Sequence, residues 1–198
     1  PAVDLRAITV AGSGEAHCEP GVANALALAD LAAAEAAIPA ACGDPVPLDG
    51  YFVFPEPWQE DMDKLSGVAV PPSGRAPWAG HAVDLIHAAI ADSDRPVTLL
   101  ATGPLTNIAQ WLERYPEDAA QVDRLVVMGG NLREAGNIIV PGFTDGHPNE
   151  RAEWNLYVDP VAADRVFAGP LAVEVVGLDV TNDVRVTPAV AAALKARA

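Results

Sequence analysis

Lysine is almost absent from this chain, which carries Lys64 and Lys195 beside ten arginines. Those twelve basic groups face 27 Asp and Glu, for a formal charge of −15 at neutral pH. With no Lys/Arg cluster to offer a local exception, such a surface repels phosphate backbones and anionic lipid. Nucleic acid and membrane are therefore not expected as partners, whereas an uncharged small molecule is allowed. Cysteine is scarce too. Cys18 and Cys42 are too few for a disulfide scaffold and lack metal-knuckle spacing, so cysteine usage predicts two free reduced thiols. Long apolar runs are missing as well. The most apolar stretch, Gly21 to Ala37, is broken by Asn24, Asp30 and Glu35, well short of the ~18 uninterrupted residues of a membrane span. No signal or transit peptide is visible, and a cytoplasmic location is expected.

What is present suits one globular domain over residues 1–198, with 51% hydrophobic and 20% charged residues. There is no internal repeat. Short β-branched runs alternate with Ala/Leu-rich helical stretches. Strands are predicted at Ala7–Val10, Ile38–Cys42, Val97–Ala101, Arg124–Met128 and Ala172–Leu178. Helices are predicted at Val22–Ala36, His81–Ala91, Leu105–Arg114, Asp159–Phe167 and Thr187–Arg197, the last with Thr187 as N-cap. Pro116–Gln121 adds a helical turn. Asp44–Pro77 and Asn131–Ala152 read as long loops with little regular structure. The alternation defines an α/β fold with a Rossmann-like, mostly parallel sheet flanked by helices. Val97–Ala101 reads as a strand buried on both faces. Ligands of such sheets bind beyond the carboxyl ends of the strands. Here those ends are Gly12-Ser13-Gly14, Thr102-Gly103-Pro104, Gly129-Gly130-Asn131 and Asp179-Val180-Thr181-Asn182. Each is also what ordinary turn chemistry would supply.

Several reaction classes find no support. Gly12-Ser13-Gly14 would need Gly at position 17 to complete a dinucleotide fingerprint, and His17 stands there. No G-K-[ST], H-E-x-x-H, C-x-x-C or G-x-S-x-G occurs, which argues against phosphate-loop, zinc and serine-hydrolase chemistry. His17, His81, His87 and His147 are scattered; His147 lies in a Gly/Pro loop from which it could reach a ligand. The richest segment is Glu153-Trp154-Asn155, just before Asp159-Pro160. In an extended backbone residues 153 and 155 would point the same way. They would present a carboxylate and a carboxamide, a match for vicinal hydroxyls, with Trp154 opposite, packing or walling a pocket. Read alone, the segment is equally a surface strand end with a buried Trp.

Taken together, several segments resemble the inosine/uridine-preferring nucleoside hydrolase family. They are Val3-Asp4-Leu5-Arg6-Ala7-Ile8-Thr9-Val10, then Val97-Thr98-Leu99-Leu100-Ala101-Thr102-Gly103-Pro104-Leu105-Thr106-Asn107-Ile108-Ala109, and Val126-Val127-Met128-Gly129-Gly130 followed by Gly136-Asn137. Ala152-Glu153-Trp154-Asn155 running into Asp159-Pro160, and Val176 to Thr181, complete the set. The resemblance implies hydrolysis of the N-glycosidic bond of a small-molecule ribonucleoside, as in purine or pyrimidine salvage. It also implies a bound Ca²⁺ that activates water, and a homo-oligomer. Carried over by position, Thr102 looks like the backbone-carbonyl metal ligand. Asn137, Glu153 and Asn155 look like ribose-hydroxyl contacts, and Met128 and Trp154 like apolar pocket walls. Ser13 falls near a sugar-contacting position of the family. Gly14-Glu15-Ala16-His17 matches a variant of that loop with no assigned role.

The sequence also departs from the family pattern. The D-x-D-x-x-x-D-D motif that supplies metal ligands and the general base is absent, as is a later His-Asp pair. The chain opens on Pro1, and the expectation is a central portion of a longer enzyme, with the general-base Asp upstream of Pro1. On that expectation the 198 residues alone are inactive, and apolar surface is exposed where the first strand and its helix would pack. Ile138–Arg151 is longer than the family spacing and reads as a lid or a tolerated surface insertion. The alternative function is a non-catalytic nucleoside- or sugar-binding pseudoenzyme. A third reading is a Rossmann-like structural domain with no ligand.

Overall fold

A computed structural model describes residues 3–32, 37–50 and 54–196. The chain opens with a β–α–β unit: β1 (Ile8–Val10), α1 (Cys18–Leu31) and β2 (Ala40–Cys42), the two strands parallel with Ile8 opposite Ala40. α1 starts four residues earlier than the apolar pattern indicates, because Pro20 is tolerated in a first turn. Residues 33–36 of the expected helix lie outside the described residues. Val22 and Leu26 of α1 pack on Ala40, Ile8 and Val10. Ala41 turns the other way, onto Ala82 and Leu85 of α3 (Ala82–Ala91). Two successive alanines in β2 let a helix approach each face closely.

A second parallel sheet holds β3 (Val97–Ala101), β4 (Val122–Met128) and β5 (Val173–Val176), in that order. Leu99, Leu125 and Val173 share one row of its register. α4 (Thr106–Arg114) follows β3, and α6 (Pro160–Phe167) precedes β5. Together with α3 they cover one sheet face in the largest core, around Trp111, Leu105, Leu125, Val127 and Val166. Trp111 is fully buried, removing on the order of 200 Å² from water. Its indole N–H is satisfied at 2.9 Å by Asp118, which also meets His87 Nδ1 at 2.8 Å.

Three expectations are corrected here. The sheet is two parallel pieces, β1–β2 and β3–β4–β5, with no pairing between β1 and β3 among the described residues. Strand–helix alternation cannot tell one sheet from two, and α3 packs against both. Next, β3 is buried on one face only: Val97, Leu99 and Ala101 meet the core, while Thr98 is exposed and Leu100 is 70% exposed. Thirdly, Cys18 and Cys42 are joined in a disulfide with Cα atoms 5.5 Å apart. The β1–α1–β2 crossover brings residues 24 apart in sequence side by side, which composition cannot reveal. Such bonds persist in oxidising compartments.

The loop expected between Asp44 and Pro77 contains a helix, α2 (Glu56–Met62), with Pro57 in its first turn, and a short 3₁₀ turn at Leu65–Gly67. α5 (Trp154–Val158) lies just before α6. β5 ends at Val176, and a single helical turn, α7 (Leu178–Thr181), follows in place of the strand end. α8 (Pro188–Lys195) starts where the Thr187 cap indicates, with Val190 N donating to Thr187 Oγ1 at 3.3 Å. No described helix is long and apolar enough to cross a membrane.

Candidate active site

A cleft of about 580 Å³ opens between the two sheets, beyond the carboxyl ends of β1, β3 and β4. All six residues singled out from the sequence line it: Thr102, Met128, Asn137, Glu153, Trp154 and Asn155. They converge through hydrogen bonds that the backbone dictates. Gly130 adopts φ +68°, natural for glycine, where β4 turns away, and its N–H donates to Glu153 Oε2 at 3.0 Å. Glu153 is 3% exposed and caps α5, accepting from Asn155 N at 2.9 Å and Leu156 N at 3.2 Å. Three backbone donors fix this carboxylate and leave a lone pair for a ligand hydroxyl. Asn155 Nδ2 donates to the Met128 carbonyl at 3.0 Å and reaches the Thr102 carbonyl at 3.4 Å. It thereby bridges the ends of β4 and β3. Asn137 Oδ1 accepts from Trp154 N at 2.9 Å, so its amide N–H₂ is the group left for the cleft.

The expected extended conformation at 153–155 is therefore corrected. Glu153 is an N-cap and Asn155 lies inside the helix, so the two share the cleft through capping and not through strand alternation. Ser13 is also corrected. It is fully buried outside the cleft, and its hydroxyl donates to Thr106 Oγ1 at 2.8 Å, which in turn donates to Asp159 at 2.7 Å. Asp159 further accepts from Leu48 N and caps α6 through Ala162 N. Of the four strand-end loops, Gly129-Gly130-Asn131 and the one after β5 do not line the cleft, although Gly130 anchors Glu153. Asp179 instead accepts from Leu132 N and Arg133 N, which hold its carboxyl below the usual range. His147 bonds Tyr157 OH at 2.8 Å and does not line the cleft.

An aromatic wall escaped sequence reasoning. Phe54 and Trp58 line the cleft from the start of α2, with Trp154 at 5.0 Å from Phe54 and 5.6 Å from Trp58, centroid to centroid. Phe143, from the Ile138–Arg151 insertion, packs on Trp58 at 5.2 Å. The insertion thus leans on the wall. α2 is itself fastened to the loop after β1. Gln59 Nε2 donates to Gly14 O at 3.0 Å, and His17 meets Asp63 through its backbone N at 2.9 Å and Nδ1 at 2.7 Å. That Asp63 hydrogen bond, with Asp63, Glu56 and Glu60 charges around it, raises the His17 pKa. Asn107 is a further missed residue. It lines the cleft at 4% exposure with an unpaired Oδ1, pressed so closely on Gly43 that a Cβ there would lie 1.9 Å away.

An α/β scaffold with a cleft at its strand ends, polar on one wall and aromatic on the other, is of the small-molecule-binding kind. The chain belongs to the inosine-uridine preferring nucleoside hydrolase family, whose model matches residues 1–198. It is 36% identical over 182 residues to a pyrimidine-specific ribonucleoside hydrolase, RihA, of Photobacterium profundum, covering 92% of this chain and 54% of that protein. Among solved structures it is similar to an inosine-uridine preferring nucleoside hydrolase from Bacillus anthracis (TM-score 0.73, 26% identity, 96% of this chain and 61% of that one). It is also similar to a purine-preferring ribonucleoside hydrolase from Gardnerella vaginalis (TM-score 0.74, 29% identity, 91% and 54%). The chain spans about half the length of the curated relatives it matches.

Calcium takes six to eight oxygen ligands, several of them carboxylates. Among the described residues no three His, Cys, Asp or Glu side chains gather to hold a metal. The Glu153 carboxylate is already occupied by backbone N–H groups, and Thr102 offers one carbonyl. The described residues do not by themselves fit a calcium site.

Proposed function

We propose that the cleft binds a ribonucleoside, and that the protein to which this chain belongs hydrolyses its N-glycosidic bond to free base and ribose. The observation that carries this reading is the convergence of Glu153, Asn137 and Asn155 on one cleft faced by Trp154, Trp58 and Phe54. The three polar side chains suit ribose hydroxyls, which need acceptors and donors together. The rings suit a planar base. Fixing the ribose stores binding energy for distorting it toward the oxocarbenium-like transition state of glycosyl cleavage. Met128 closes the floor with apolar surface.

The reading assigns the general base to an acidic residue outside these 198, as the family resemblance implies, so this chain alone releases no ribose. Calcium stays a proposed cofactor on the same footing, with Thr102 as one donor, and no step above is routed through it. The released products suit salvage of bases and ribose. A cytoplasmic site and a homo-oligomer belong to the same reading. Thiol alkylation in freshly lysed cells, which reports the state of Cys18 and Cys42, and the mass in solution by light scattering test them.

A second reading, a nucleoside-binding pseudoenzyme, is favoured by one observation: no acidic cluster among the described residues. Ribose release from inosine and uridine, with and without Ca²⁺, separates the two. It is measured on this chain and on a version extended at both ends. Turnover by the extended protein that EDTA abolishes supports the hydrolase. Ribose binding without turnover overturns it in favour of the pseudoenzyme.

A further inference from the structure

The loop Gly12–His17 spends almost every polar group inside the protein. Gly14 N donates to Ala11 O at 3.0 Å and Gly14 O accepts from Gln59. The Ser13 hydroxyl feeds Thr106, His17 clasps Asp63, and Cys18 is bonded to Cys42. Glu15 is the exception. Its side chain lines the cleft, and among the described residues its carboxyl has no hydrogen-bond or ion-pair partner. A loop pinned on both sides of a free carboxyl holds that group for something that enters the cleft.

Three uses of a carboxyl are open there: metal ligand, acceptor for ribose, or proton donor. The first lacks companions, since no acidic cluster forms among the described residues. The second duplicates Glu153, Asn155 and Asn137. The third matches position. Gly14 and His17, the immediate surroundings of Glu15, hold the helix that presents Trp58, so Glu15 belongs to the aromatic, base-binding side. It also matches charge. Among the described residues no Lys or Arg lines the cleft, Glu153 lines it too, and Glu56 and Glu60 of α2 with Asp63 just after it surround His17. Loss of water within the cleft raises the Glu15 carboxyl above its usual range, which favours the neutral, donating form.

We propose that Glu15 is a catalytic residue that protonates the departing base, an assignment that rests on the nucleoside-hydrolase reading. As the bond from the anomeric carbon to the ring nitrogen breaks, its electron pair stays on the base, which takes the proton of the Glu15 carboxyl. Water adds to the anomeric carbon and sheds its proton to the general base assigned above; that base then loses the proton to solvent and Glu15 regains one from it. The balance is nucleoside plus water giving base plus ribose, with Glu15 restored.

The test compares Glu15→Gln with the unchanged protein, in whichever form releases ribose in the assay above. The substrates are inosine, uridine and 4-nitrophenyl β-D-ribofuranoside, whose nitrophenolate leaves without a proton. The expected result is a loss of about 100-fold or more in kcat on both nucleosides, with the nitrophenyl riboside within about threefold of the unchanged protein. The alkaline limb of the nucleoside kcat profile, set by Glu15, should vanish in the variant. An equal loss on all three substrates, or no loss on any, overturns the assignment. If no form of the protein cleaves any of the three, the hydrolase reading itself fails and Glu15 falls with it.

Discussion

On one wall of the cleft, Glu153, Asn155 and Asn137 are each tied to main-chain atoms by hydrogen bonds of 2.9–3.4 Å. On the other, Phe54 and Trp58 meet Trp154 and each other through ring contacts, with Phe143 behind, packed on Trp58. Hydrogen bonds to backbone fix direction as well as distance, whereas ring contacts tolerate many tilts. The first wall therefore presents its polar groups in one geometry, which on the proposed reading is that of a ribose. The second tolerates rings of different size, and Trp58 and Trp154 stand on the short helices α2 and α5.

Four experiments break or sharpen that contrast. Glu153→Ala has the largest expected effect, because it strips three backbone N–H groups of their acceptor and removes a ribose contact. A fall of about 100-fold or more in kcat/KM, equivalent to about 2.7 kcal/mol, is expected in steady-state kinetics. Reducing the Cys18–Cys42 bond comes next, since it frees the loop that fastens the aromatic wall. Closing a loop of this length is worth about 3 kcal/mol in the unfolded-chain view, so dithiothreitol should lower Tm while Glu153-dependent binding survives at low temperature. Trp58→Ala should raise KM about tenfold with kcat nearly unchanged, because a stacking surface contributes to binding the base in ground and transition state alike.

The smallest effect is expected at His17, which is half-exposed. Asp63 favours its protonated form, so the pKa in the folded protein lies above the unfolded value. The stabilisation is complete below the ordinary histidine range and is lost as pH rises through the raised pKa. The Tm difference between the unchanged protein and His17→Gln should accordingly shrink from pH 5.5 to pH 8.5, values spanning a histidine pKa of about 6.5. A difference that stays constant with pH would mean that packing, and not charge, holds α2 to the loop.

Much of this architecture is legible from residues alone. Val97–Ala101 and Pro116–Gln121 form the elements their patterns indicate, and Thr187 caps the final helix. Those signals are local. Six residues named from the sequence line the cleft, yet for 153–155 the geometry was misread. A Glu that accepts two N–H groups at a helix start looks, in sequence, like a polar strand end. Ser13 shows the converse limit, since only the tertiary path through Thr106 to Asp159 decides that its hydroxyl is buried. The aromatic wall unites positions 54, 58, 143 and 154, which have no common period, and α2 hides in a stretch whose prolines suggest loop. Pro57 in its first turn was the available clue.

The uncovered face of β3 has a consequence for handling. A strand with Leu100 exposed and no partner on its β1-facing side among the described residues is a template for strand addition. Concentrated stocks should therefore associate along that edge. A charged replacement at the neighbouring exposed position, Thr98→Lys, which does not line the cleft, should keep the protein dispersed in light scattering while leaving the core-facing row Leu99–Leu125–Val173 untouched. Colloidal behaviour and one wall of the cleft thus share the outward face of the same short strand, since Leu100 also lines the cleft.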